Sequence, residues 1–461
     1  MDTNLNKHNI RLILIAICSG LTGLLFGYDA GIIASAIIFI KKTFNVDPAE
    51  IGWIVAMVPL GALLTAMISG YISDFAGRKK ALFGTAIFFI AGTFMSAFAG
   101  SVMTLMIGRL LLGLAIGLGS SISPIYTAEL AADNKRGWLV NMFVTSLQGG
   151  VFLSYVTGYF FSNSGDWRLM LLIGIIPAGI LGVGAIFLPE SPRWLAMKGK
   201  TDKALKVLTQ IYNKTEATKI VKEVTRTVSR ETKDAINWRT LFDKPKFLKV
   251  LFIAVAVAFF TQTVGINAFL YYGPTIYEHA GLSATRATLL AIPMGFTLFI
   301  ATVASLFFID KIGRKKPLML GTAGILILLI AITIGFHLFN APMIISVYFF
   351  ICALLFMVCH GLSIGPACFL IPSEVFPGKI RGLGMGTAVA VIWGVNVLVS
   401  AYTPVIIAKY GPASLFAGFF ILTAIGFIIF WRFVPETKDV SLETIENNVL
   451  DNLPCRKLGQ Q

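Results

Sequence analysis

The chain is 461 residues long, 56% hydrophobic and 13% charged. Two or three soluble domains of that total length would need far more charge on their surfaces, so composition excludes a soluble multidomain protein. The formal net charge of +15 does not indicate a nucleic-acid partner either, because its placement follows membrane topology. Basic residues gather in alternate connections, at Arg78, Lys79 and Lys80, at Lys135 and Arg136, in a long middle loop, at Arg314, Lys315 and Lys316, and at Lys379 and Arg381. The intervening loops are short and carry little charge beyond Lys41 and Lys42. This is the positive-inside pattern of a multi-pass plasma-membrane protein with both termini cytoplasmic, its basic loops facing anionic membrane lipids.

Twelve apolar segments follow one another, at roughly 10–38, 50–73, 81–99, 102–129, 138–161, 168–188, 249–277, 285–309, 317–339, 343–372, 383–407 and 411–433. Each is long enough to cross ~30 Å of hydrocarbon at ~1.5 Å per residue. They predict an all-α membrane protein in four parts: an N-terminal six-helix bundle (1–188), a cytoplasmic helical linker (189–248), a C-terminal six-helix bundle (249–434) and a cytoplasmic tail (435–461). Lys7 and Arg11 precede the first segment without a small-residue cleavage site, so that segment reads as retained.

The first segment carries a carboxylate, Asp29, and the fourth a guanidinium, Arg109. Asp29 lies 12 residues before Lys41, and Arg109 about 7 residues into its segment. Both therefore sit on the order of 10–18 Å below the same surface, at a depth where they can meet. A carboxylate there is costly unless paired, hydrated or protonated. The pair reads either as a proton carrier with a tuning cation or as a static ion pair locking two helices. Glycines recur in the fourth and fifth segments (Gly108, Gly113, Gly117, Gly119, Gly149, Gly150), a spacing that lets helix backbones approach closely.

The linker is polar and Lys-rich, with amphipathic patterning near 204–212 and 220–228, and predicts two or three short helices. In the seventh segment stand Gln262 and Asn267, then Tyr271 and Tyr272; the fifth offers Gln148, and the eleventh Trp393 and Asn396 on one face. Amides donate and accept, and aromatic faces suit a sugar ring; interhelical hydrogen bonding uses the same residues. Gly265, Gly273-Pro274 and Gly365-Pro366 are expected to interrupt the seventh and tenth segments, marking them as gates. The tail after 434 reads as short, polar and partly frayed.

The chain also repeats itself. Asp74, Gly77 and Arg78 return as Asp310, Gly313 and Arg314; Glu129 and Arg136 return as Glu374 and Arg381; Glu190 returns as Glu436. The offsets are 236, 245 and 246 residues, each about half the chain. Paired repeats in a membrane protein suit a carrier whose halves rock about a central site. These charges, with Arg193, fall at cytoplasmic helix ends. They are expected to latch the halves when the inner side closes, or else to be ordinary solvated or headgroup-facing charge. The five cysteines and four histidines show no metal or redox spacing, and no phosphate-binding loop or nucleophile–base set appears, so no metal, cofactor or enzymatic activity is expected.

At this point the motifs resemble the sugar porter family of the major facilitator superfamily over essentially the whole chain. They are Phe26 to Asp29, the two Asp–Gly–Arg loops, Arg109 to Gly113, Pro124 to Glu129, Arg136-Gly137, Pro189 to Trp194, Gly265 to Asn267 with Tyr271 to Pro274, Pro372 to Gly382, and Pro435 to Lys438. The resemblance implies a two-bundle, twelve-helix monomeric carrier working by alternating access. It also implies a proton on the acid matching Asp29, an Arg109 that tunes it, and a monosaccharide as cargo. The implied sugar site is matched at Gln262, Asn267, Trp393 and Asn396. It departs from the family at Thr261, Val144 and Leu298, where an amide is usual, and at Phe369, where a tryptophan is usual. Gln148 lies one turn from Val144. Lost amides argue against glucose and for a pentose, an unusual hexose or a cyclic polyol such as inositol. A facilitator and a transporter-like nutrient receptor are the rival readings.

Overall fold

The computed structural model describes the backbone of residues 2–130, 133–233, 245–339, 341–377 and 380–459, and their side chains except at 2–12, 133–141, 227–233, 245, 246, 310, 381 and 442. Among the described residues there is no strand. Helices α1 (Asp2–Phe44), α2 (Pro48–Ala76), α3 (Arg78–Ala97), α4 (Val102–Leu130) and α5 (Asp133–Ser162) lead to α6, formed by Trp167–Leu172 and Ile175–Phe187. After the linker come α7 (Pro245–Thr263 and Ile266–His279), α8 (Ala284–Ile312), α9 (Lys315–Leu338) and α10, whose pieces Pro342–Cys359 and Gly365–Val375 flank a π-turn at His360–Ile364. Helices α11 and α12 run on as Arg381–Phe433, broken at Gly411, where φ is 80° and ψ 165°.

Ten stretches of described residues are long and apolar enough to span a membrane. The last of them contains both α11 and α12, and α5 lies outside the ten, so the molecule has the twelve spans the sequence predicts. Large apolar side chains such as Met67, Phe187, Phe307 and Leu320 are more than 60% exposed, which in a multi-pass protein is the lipid-facing surface.

Packing divides the chain into two units that cut across the helices. One comprises Met1–Asp29, Gly61–Gly150 and Leu172–Ala235; the other comprises Ala30–Leu60, Val151–Leu171 and Ile236–Gln461. In the first, small residues bring α1 against α5: a Cβ on Gly23 would lie 2.2 Å from Phe143 O, and one on Gly150 2.3 Å from Leu24 O. Among the described residues the linker supplies three helices, Pro192–Met197, Thr201–Leu208 and Lys214–Lys233. They have a small core of their own in Leu195, Ala204, Leu208, Ala217 and Val221. Tyr212 OH tacks it to α4 by donating to Leu130 O at 2.8 Å.

The second unit is organised around Phe269, whose ring lies 5.6 Å from Phe349, 4.4 Å from Phe356 and 5.3 Å from Phe416. Two expectations are corrected here. The tail folds back as a helix, Leu442–Leu450, and Ser441 Oγ caps it by accepting from Thr444 N. Val449 and Leu458 are buried, and Lys249 Nζ donates to Asn452 Oδ1 at 2.8 Å. Burial of these apolar side chains, and of Ile445, outweighs the polar composition. Helix α7 breaks only once, at Gly265 with φ 94°; Gly273 and Pro274 stay inside the helix, because Pro274 removes one hydrogen bond without reversing the backbone.

Candidate transport site

Depth counting places Asp29 and Arg109 together, and they meet. Arg109 Nη1 donates to Asp29 Oδ1 at 2.8 Å, and the two side chains are 1% and 4% exposed. Asp29 Oδ2 is buried without a hydrogen-bond partner among the described residues. One oxygen of the carboxylate is therefore held by the guanidinium while the other keeps its lone pairs. Both residues belong to the first unit.

The second unit holds the amides. Asn267 Nδ2 donates to Gln262 Oε1 at 2.8 Å across the break in α7. On α11, Asn396 Nδ2 donates to Tyr271 OH at 3.3 Å, and Ser400 Oγ donates to Asn396 Oδ1 at 3.1 Å. Tyr272 OH donates to Ser400 O at 2.7 Å. Trp393, Asn267 and Asn396 are buried, whereas Phe369 is half exposed. Thr261 turns its hydroxyl back onto Ala258 O at 3.1 Å, and Leu298 is buried. Gln148 lies in the first unit with Oε1 buried and without a partner among the described residues. Ser400 was not singled out in the sequence, although it stands one turn after Asn396 on the same face.

The repeated loops fold into matching constellations, one per unit. Gly77 precedes α3 with φ 94°, and Gly313 precedes α9 with φ 101°. Glu190 Oε1 accepts from Arg78 N at 2.9 Å and Lys79 N at 3.2 Å; Glu436 accepts from Arg314 N at 2.9 Å and Lys315 N at 3.1 Å. Each carboxylate thus caps a helix start more than a hundred residues away, where the backbone dipole favours an anion. Arg78 grips Glu129 through Nε and Nη2, both at 3.1 Å, and Arg314 grips Glu374 through Nε at 3.1 Å and Nη2 at 3.0 Å. Ser191 Oγ donates to Glu129, and Thr437 Oγ1 to Glu374. These hydroxyls each follow the capping glutamate directly in the chain, at 191 and 437.

Arg78 also binds Asp74 Oδ1 at 2.9 Å, Arg193 Nε lies 3.9 Å from Glu129, and Trp194 Nε1 donates to Asp74 O at 2.9 Å. The second has a cavity of about 420 Å³ beside Arg314, Glu374 and Thr437. Within each unit these charges pair with one another. The side chains of Arg136, Asp310 and Arg381 lie outside the described residues.

A buried acid–base pair, a neutral amide network and duplicated loops in twelve helices are the parts of a carrier, and the family model for "Sugar (and other) transporter" matches residues 15–449. The chain belongs to that family. A D-xylose transporter of Levilactobacillus brevis is 38% identical over 427 residues, covering 92% of this chain and 93% of the relative. An arabinose-proton symporter of Bacillus subtilis is 34% identical over 445 residues, covering 94% of each. Among solved structures, the proton:xylose symporter XylE bound to 6-bromo-6-deoxy-D-glucose matches with a TM-score of 0.78 at 29% identity, covering 95% of this chain and 98% of that one. A partially occluded inward-open form of XylE from E. coli matches with a TM-score of 0.80 at 27% identity, covering 92% and 100%. The fold is accordingly the twelve-helix major facilitator fold, and this family consists of transporters, not enzymes.

Proposed function

We propose that this protein is a proton-coupled monosaccharide symporter that works by alternating access and prefers pentoses. The observation that carries the reading is Asp29, buried against Arg109 with one oxygen engaged and the other without a partner among the described residues. A carboxylate with both oxygens saturated would act as a structural ion pair. One with an available oxygen takes a proton without first dismantling its contact to Arg109. Protonation removes a charge from the low-dielectric interior, which eases the rearrangement of the surrounding helices.

The pentose preference rests on the amide network. Gln262, Asn267, Asn396 and Trp393 supply hydrogen bonds and an aromatic face, while Thr261 bonds its own helix and Leu298 and Phe369 offer no amide. A smaller sugar makes fewer demands on those positions. The names borne by the relatives, D-xylose transporter and arabinose-proton symporter, point the same way.

In this reading the sequence halves, 1–188 and 249–434, are the bodies that move. The basic loops face the cytoplasm with both termini, in a plasma membrane, the protein acts as a monomer, and anionic lipid headgroups lie against the basic loops. The charges Asp74, Arg78, Glu129, Arg136, Glu190 and Arg193, with Asp310, Arg314, Glu374, Arg381 and Glu436, exchange partners between halves when the inner side closes.

Proteoliposomes test the proposal with D-xylose, L-arabinose, D-galactose, D-glucose and myo-inositol, each with and without an imposed acid-outside gradient. Uphill pentose uptake with alkalinisation of the bath is expected. Downhill uptake alone makes the protein a facilitator; uphill uptake of inositol in preference to any sugar reassigns the cargo.

A further inference from the structure

In two of the proline-containing helices of the second unit a tyrosine hydroxyl stands where the N–H removed by the proline would have been. In α7 the carbonyl of Leu270 would bond to the N–H of residue 274, which is Pro274. Tyr155 OH, from α5, donates to Leu270 O at 2.9 Å. In α11 the carbonyl of Ser400 would bond to the N–H of residue 404, which is Pro404. Tyr272 OH, from α7, donates to Ser400 O at 2.7 Å. Both tyrosines are completely buried.

The two bonds differ in what they join. Tyr272 and Ser400 both belong to the C-terminal half of the sequence. Tyr155 belongs to the N-terminal half and Leu270 to the C-terminal half, although both lie in the second packing unit. The approach around Tyr155 is close: a Cβ on Gly295 of α8 would lie 2.8 Å from its ring and 3.0 Å from Phe152 Cα. Phe152 and Phe296 pack beside it, with ring centroids 5.4 Å apart.

We infer that Tyr155 is a gate pin: its hydroxyl replaces the hydrogen bond that Pro274 removes from α7 and so holds the outer ends of the two halves closed. The inference rests on the alternating-access reading above. When the outer end opens, water reaches Leu270 O and takes over from the hydroxyl, so the open state loses little. When it is closed the site is dry, and only Tyr155 supplies the missing donor. Deleting the hydroxyl therefore penalises the closed state selectively. Tyr272 performs the same replacement inside one half, travels with it, and is a stability contact without influence on sidedness.

The test needs no sugar and so stands apart from the question of cargo. Thr275→Cys, in the outer piece of α7, and Ser373→Cys, at the basic end, report access from the two sides through their rates of labelling by an impermeant maleimide. Tyr155→Phe should raise labelling at 275 and lower it at 373 by about tenfold. Pro274→Ala returns an N–H to Leu270 O, and in that background Tyr155→Phe should change neither rate by more than about twofold. Tyr272→Phe should leave the ratio of the two rates unaltered. Unchanged labelling in Tyr155→Phe overturns the inference, and so does a tenfold shift that persists beside Pro274→Ala. Should Tyr155→Phe alone not fold, the comparison of Pro274→Ala with the double variant still decides between them.

Discussion

The two halves of this chain are nearly the same protein at their basic ends and different proteins in the middle of the membrane. At the basic ends a glycine, an arginine, two carboxylates and a hydroxyl recur with matching bonds, down to the helix cap supplied by Glu190 and again by Glu436. At mid-depth one unit buries Asp29 against Arg109, and the other buries Asn267 and Asn396, with Gln262 half-buried against Asn267. The duplication is kept where it fixes how helices start and turn. In the proposed mechanism it has diverged where charge and cargo are handled by separate bodies, so that proton and sugar would communicate through the motion of the halves.

That division is broken most severely at Asp29. Asp29→Asn keeps the size and a hydrogen-bond acceptor for Arg109 but cannot cycle a proton. Uphill accumulation in proteoliposomes should disappear, while exchange of labelled for unlabelled pentose persists; retained accumulation refutes the proton assignment. Next come the paired glycines. Alanine at Gly77 or Gly313 meets a backbone region reserved for glycine, and its Cβ lies 2.3 Å from Glu190 Oε2 or 2.6 Å from Glu436 Oε2. Each should cost about 3 kcal/mol in thermal unfolding, with similar values in both halves. Unequal losses would show that the copies are alike in shape only.

The arginines sharpen the comparison. Arg78 is 6% exposed and Arg314 is 14% exposed, so the first is held in the drier surroundings. Lysine cannot reproduce the forked grip, so Arg78→Lys should destabilise by about 2 kcal/mol and Arg314→Lys by about 1 kcal/mol. The smallest effect is expected at the sugar site. Thr261→Gln adds an amide beside Gln262 and should raise the stabilisation of the purified protein by D-glucose relative to D-xylose, by about 1 kcal/mol.

Much of this was readable from the sequence because membranes make geometry regular. A constant rise per residue turned positions 29 and 109 into depths, and the depths matched. The repeated offsets located both loop constellations, since helix-to-helix turns tolerate few alternatives. What escaped were choices among partners. Glu190 and Glu436 stand in the sequence as latch charges, and what it does not reveal is that each also accepts from backbone N–H groups of a distant helix. A string of residues does not reveal whether an acid meets a side chain or a helix end. Tyr272 likewise reads as available to cargo, while in the structure its hydroxyl donates to the carbonyl of Ser400. The tail reads as frayed because three buried side chains, Ile445, Val449 and Leu458, leave little trace in a polar average.

The break at Gly411 carries a last consequence. Because α11 and α12 meet through a single residue rather than a loop, the azimuth of α12 is fixed by counting. One inserted amino acid would rotate it by about 100° and swing Phe416, Phe419 and Phe430 out toward the hydrocarbon. An inserted residue at this corner is thus expected to lower the unfolding temperature more than one placed in the linker.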